Sequence, residues 1–145
     1  LLVSVSPSGG LYALIADFTG HGLPAAIGAI PLSQTFFDAT QQGASVSSIS
    51  RSLTRALTKF LPDDMFASAA IAELNADGTR LSLWLGGMPD AIIGPDATLT
   101  DGLSTSVFVM GVERGLALIE ATPGYAAVII DAERKVRFSK ALAPD

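Results

Sequence analysis

The sequence predicts an α+β fold, antiparallel sheet covered by helices, most simply a β-sandwich flanked by helical layers. Its segments run strands, two helices, then strands again, without the regular β-α-β alternation that builds a parallel sheet. Two stretches carry hairpin signals. Of the 145 residues, 49% are hydrophobic and only 16% charged, so the chain is rich in core-forming material. A domain of this length buries roughly 70% of its unfolded-chain surface, so one core suffices and residues 1–145 are expected to form a single domain.

Leu1 to Val5 and Leu11 to Ala16 are β-prone runs separated by Ser6-Pro7-Ser8-Gly9-Gly10, which supplies a preset φ and positive-φ positions for a hairpin. From Leu23 to about Thr40 the period changes. Leu23, Ala26, Ile27, Ile30, Gln34 and Phe37 recur at steps of three and four, and Pro24 suits a first helical turn. Pro31 removes a backbone hydrogen bond inside that helix and predicts a kink or break. Gly43 ends the helix, and Ser45 or Ser47 caps a second one. Its buried face is expected at Ile49, Leu53, Leu57 and Phe60, with Pro62 as the stop.

Beyond Pro62 the period shortens to that of strands. Met65 to Leu74 and Arg80 to Leu85 flank the turn residues Asn75-Ala76-Asp77-Gly78-Thr79, a second hairpin. Ala91 to Ile93, Leu116 to Glu120 and Tyr125 to Ile130 read as further short strands. Gly94-Pro95-Asp96, Asp101-Gly102 and Pro123-Gly124 punctuate them.

Composition excludes several classes of function. A net charge of −5 disfavours nucleic acid, whose binding depends on clustered Lys and Arg. The absence of cysteine removes disulfides, thiolate zinc sites and a cysteine nucleophile. Apolar runs are far shorter than the roughly 20 residues of a spanning helix, so no membrane segment and a cytoplasmic location are expected. The chain opens on Leu1 and enters a strand-like run at once, which suggests a piece of a longer protein. Its single histidine, His21, cannot build a multi-histidine zinc site. Arg51, Arg55 and Lys59 lie four apart and read as a solvated helix face, and Trp84 as a core aromatic.

Two apolar strands end in aspartate. Leu11 to Ala16 runs into Asp17, followed by Phe18-Thr19-Gly20-His21-Gly22, and Tyr125 to Ile130 runs into Asp131. Leaving the sheet there puts Asp17 in a glycine-bracketed turn, where a carboxylate and free carbonyls suit a hard cation. If the two strand ends lie side by side, a divalent ion offsets the repulsion of their charges. Asp17 and Asp131 are therefore candidate metal ligands, and Asp131 reads equally as a turn former.

The stretch Asp17-Phe18-Thr19-Gly20-His21-Gly22-Leu23-Pro24-Ala25-Ala26 resembles the Asp-x-Ser/Thr-Gly-His-Gly-x-Pro-Ala-Ala signature of SpoIIE/RsbU-type PP2C phosphatases. Leu61 to Ala69 resembles that family's segment before its next strand, and Gly86-Gly87-Met88-Pro89 resembles its Ala-Gly-His-Pro turn. The resemblance implies an αββα sandwich of two antiparallel sheets flanked by helices. It also implies two Mn²⁺ or Mg²⁺ ions activating water for in-line attack on phosphoserine or phosphothreonine. Asp17 is then the bridging ligand, the Phe18 backbone carbonyl a second donor, Asp131 a further ligand, and Gly20, His21 and Gly22 shape the turn.

By the same resemblance the chain is the output domain of a bacterial signalling protein. An upstream sensor or receiver domain feeds it, its substrate is a phosphorylated anti-anti-sigma-like partner, and a homodimer is compatible. The family's Gly-Gly-Asp motif belongs before Leu1, and its late Asp-Gly reads Asp131-Ala132-Glu133 here, with no equivalent of a final metal aspartate before Asp145. These departures support an alternative, a pseudophosphatase that binds partners as an adaptor.

Overall fold

The computed structural model describes residues 1–20, 22–62, 65–88 and 90–143. They are α+β, with two antiparallel sheets and four α-helices, and form two compact units, Leu1–Gly87 and Met88–Asp145.

The first unit begins with the expected hairpin, β1 (Leu2–Val5) and β2 (Leu11–Phe18). Strand β2 then pairs antiparallel with β3 (Ala67–Leu74), which pairs with β4 (Leu81–Gly86), giving the order β1-β2-β3-β4. Period-two alternation sends Tyr12, Leu14, Ala69 and Ile71 to one face, where they are buried. Trp84 lies opposite Ile71 and packs against the same cluster, as a core aromatic should.

Helices α1 (Leu23–Gln41) and α2 (Val46–Leu57) cover that face. Helix α1 continues through Pro31, so the chain does not break at the residue where a kink or break was expected. Its apolar series is also not the buried one. Leu23 and Ile30 are 73% and 61% exposed, whereas Gly28, Leu32, Phe36 and Thr40, four residues apart, face the core. The helix is apolar almost all round, so periodicity did not select a side, and glycine and threonine are silent in such a reading. The helix ends in a full Schellman arrangement: Gly43, at φ 66°, donates to the Thr40 carbonyl and Ala44 to the Ala39 carbonyl.

The Ser45 hydroxyl accepts the Ser48 N–H and starts α2, whose Val46, Ile49 and Leu53 are buried. Phe60, expected on this face, falls beyond the helix end and is 57% exposed.

The second unit differs most from expectation. Strand β5 (Asp90–Ile93) leads into α3 (Ala97–Met110) and α4 (Val112–Glu120), followed by β6 (Ala126–Ile130) and β7 (Val136–Phe138), with sheet order β5-β6-β7. Leu116 to Glu120, expected as a strand, is helical, and Asp101-Gly102, expected as a turn, lies inside α3. The Asp96 side chain accepts the Leu99 N–H at 2.7 Å and caps α3. Gly111, at φ 76°, turns the chain directly into α4. Leu103 and Val107 on α3 and Ile119 on α4 bury against Ala127 and Ile129. Gly115 permits this closeness, since a Cβ there would sit 2.9 Å from Val107 Cγ1. Tertiary packing overrides the β-branched composition of these helices. Among the described residues no helix is long and apolar enough to cross a membrane.

Candidate functional site

Strand β2 continues two residues past its apolar run. Asp17 is therefore inside the strand, opposite Ser68 of β3, and not in the glycine turn where it was expected. Alternation places its side chain on the face opposite Tyr12 and Leu14, exposed, and among the described residues it has no hydrogen-bond or ion-pair partner.

The ladder is closed by Thr19. Its N–H and hydroxyl both donate to the Phe66 carbonyl, at 2.9 and 3.1 Å, and the same hydroxyl accepts the Phe66 N–H at 2.9 Å. A side-chain oxygen thus substitutes for the backbone acceptor that the departing chain withdraws. Because a trans peptide points its C=O and N–H in opposite directions, the Phe18 carbonyl must point away from β3 when Thr19 N–H points toward it. On that side β1 reaches only as far as Leu14, so no strand covers the carbonyl.

Gly20 and Gly22, at φ 83° and 79°, take positive-φ conformations where the chain passes from β2 into α1. His21 lies outside the described residues, as do Asp63, Asp64, Pro89 and Asp145. The ring of Phe18 meets Gly28 on α1 and Leu61: a Cβ at Gly28 would lie 2.7 Å from Phe18 Cε1 and 3.0 Å from Leu61 Cδ2. Gly87, at φ 72°, lies against Ser68, the cross-strand neighbour of Asp17. One end of this sheet thus gathers the described parts of three separated stretches, Asp17–Gly22, Leu61–Ala69 and Gly86–Gly87.

Asp131 stands in the second unit, at the turn between β6 and β7. Its Oδ1 accepts the Lys135 N–H at 2.7 Å, and its Oδ2 pairs with Arg137 Nε at 3.1 Å. Its own N–H donates to the Lys135 carbonyl, its carbonyl accepts the Arg134 N–H, and Arg134 sits at φ 61°. This is a three-residue hairpin loop closed by a left-handed residue. The Lys135 N–H, and after it the Arg137 guanidinium, hold the Asp131 carboxyl below the usual carboxylate range. Here Asp131 acts as a turn former.

No group of three or more His, Cys, Asp or Glu side chains with the spacing of a metal site occurs among the described residues. The donors at the end of β2, one unpartnered carboxylate beside one uncovered carbonyl, are of the oxygen type that Mg²⁺ and Mn²⁺ prefer. They fit such an ion as part of its shell.

Sequence reasoning missed the clamp made by Thr19, although a hydroxyl two residues after a strand-end aspartate was its visible signal. It also missed Asp90, an acid at the start of β5 whose Oδ2 is buried without a partner among the described residues.

The family model described as Stage II sporulation protein E (SpoIIE) matches residues 7–130. No curated protein and no solved structure matches the chain.

Proposed function

The chain belongs to the SpoIIE family, a family of PP2C-like phosphatases, and on that premise we propose that it is a metal-dependent phosphatase of phosphoserine or phosphothreonine in a partner protein. The observation that supports this most is the placement of Asp17 beside the uncovered Phe18 carbonyl, at the sheet end where the three family-like stretches meet.

Asp17 and the Phe18 carbonyl would hold Mn²⁺ or Mg²⁺, with two ions the family pattern. Bound there, such ions supply an activated water and neutralise phosphoryl oxygens. Thr19 anchors the strand end to Phe66, so Asp17 stays in register with Ser68. Phe18, wedged against Gly28 and Leu61, limits rotation of the strand end. Gly20 and Gly22, both at positive φ, carry the chain from the end of β2 into α1. Asp131 would be able to hold such an ion only without its ion pair to Arg137. The partner in this reading is a phosphorylated anti-anti-sigma-like protein, in the cytoplasm, with an upstream sensor or receiver domain as input.

A second reading, a pseudophosphatase acting as an adaptor, is favoured by the engagement of both Asp131 oxygens. The test is hydrolysis of an aryl phosphate by the intact protein with and without Mn²⁺. The phosphatase reading expects a Mn²⁺-dependent rate that Asp17→Asn removes without lowering the melting temperature. A rate absent in the native protein selects the adaptor, and one that survives in Asp17→Asn refutes the role of Asp17.

A further inference from the structure

The second unit contains a cavity of about 390 Å³ walled by Val107, Phe108, Val112 and Ile129, with Asp90 and Asp131 on its polar side. Its volume lies at the lower end of ligand cavities, about 300–1,000 Å³. Asp90 pairs with Ile129 across β5 and β6, and Asp131 follows Ile129 by two, so the two aspartates are diagonal neighbours on one face. They differ in what they touch. Asp131 is held by Lys135 and Arg137, whereas Asp90 Oδ2 is buried with no hydrogen-bond partner among the described residues. Burial alone pushes the Asp90 carboxyl above its ordinary pKa.

A buried acceptor without a donor is costly, and more so when the group is charged. No side chain on the apolar wall can supply the donor. A divalent ion is a poor match, because only one of the two carboxylates is unengaged. A ligand with one cationic nitrogen and an aliphatic body satisfies both features: the nitrogen donates to Asp90, and the stem covers the wall of valine, isoleucine and phenylalanine. We infer that this cavity is a binding site for a primary alkylammonium group, with Asp90 as its counter-ion. The inference does not depend on the phosphatase reading, since it uses no residue of β2.

The probe is n-pentylammonium, with n-pentanol as its neutral counterpart, followed by methyl NMR of Val107, Val112 and Ile129 in the native protein and in Asp90→Asn. The expected result is binding of the ammonium at least about tenfold tighter than the alcohol, with the preference lost in Asp90→Asn. A third probe, N-acetyl-lysine N-methylamide, separates the sources. Binding as tight as pentylammonium assigns the site to a lysine side chain of a partner protein, and its exclusion while pentylammonium binds assigns it to a free alkylamine. Equal affinity for ammonium and alcohol, unmoved methyl signals, or a preference that survives Asp90→Asn overturns the inference.

Discussion

Gly28→Ala tests how the end of β2 is held, because two known effects oppose each other there. In a helix interior, alanine is favoured over glycine by about 1 kcal/mol. At this position the added Cβ would stand 2.7 Å from Phe18 Cε1, 3.1 Å from Phe18 Cζ and 3.0 Å from Leu61 Cδ2. Carbon atoms prefer separations of about 3.5–4.0 Å, so the ring must move by several tenths of an ångström. Overpacking of this kind costs about 1–3 kcal/mol. The net expectation is a loss of about 0–2 kcal/mol, measured by urea denaturation. In a Phe18→Leu background the ring atoms are gone and only the flexible end of Leu61 must give way, so Gly28→Ala becomes stabilising by up to about 1 kcal/mol. The double-mutant cycle therefore yields a coupling of about 1–3 kcal/mol. A coupling below about 0.5 kcal/mol, or a Gly28→Ala variant more stable than the native protein, would refute the wedge between Phe18 and α1.

Thr19→Val keeps the shape of the side chain but removes the hydroxyl that serves Phe66, so stability falls by about 1 kcal/mol and the Phe66 amide exchanges faster with solvent. Unchanged exchange at Phe66 would remove the clamp. Gly43→Ala forces a side chain into the left-handed position that closes α1 and costs about 1 kcal/mol in a thermal or urea melt. For Asp131 the sign follows from its depressed folded pKa. Its contribution is complete above the unfolded carboxylate value of about 3.9 and disappears as pH falls toward the folded value. Asp131→Asn should therefore flatten the acid limb of the stability curve while changing its slope near neutrality little, and an unaltered acid limb contradicts the hairpin role.

The motif around Asp17 was legible because each of its residues has a local reason to be there. Gly20 and Gly22 take positive φ, and Thr19 closes a ladder that Phe18 leaves. What could not be read was how far β2 continues. Asp17 looks like a turn residue by type, and only its pairing with Ser68 keeps it in the sheet. Helix α1 shows the same limit in another form. Its length was visible, but the choice between Leu23-Ile27-Ile30 and Leu32-Phe36 as the inner face depended on Gly28 leaving room for Phe18. In the second unit, Leu116 to Glu120 has no period long enough to separate strand from helix. Gly115 against Val107, and Ile119 in the core, decide for helix.

By itself the sequence determined the α+β class, both hairpins of the first unit, the helix end at Gly43 and the family, since all of these are written in turn chemistry, period and short-range motif. Only the tertiary structure decided which faces are buried, that Asp131 is bound to Arg137, and that Asp90 Oδ2 finds no donor among the described residues. Those outcomes depend on which groups approach across the chain, and a carboxylate carries no local mark of whether its partner will be a guanidinium, a backbone N–H or nothing.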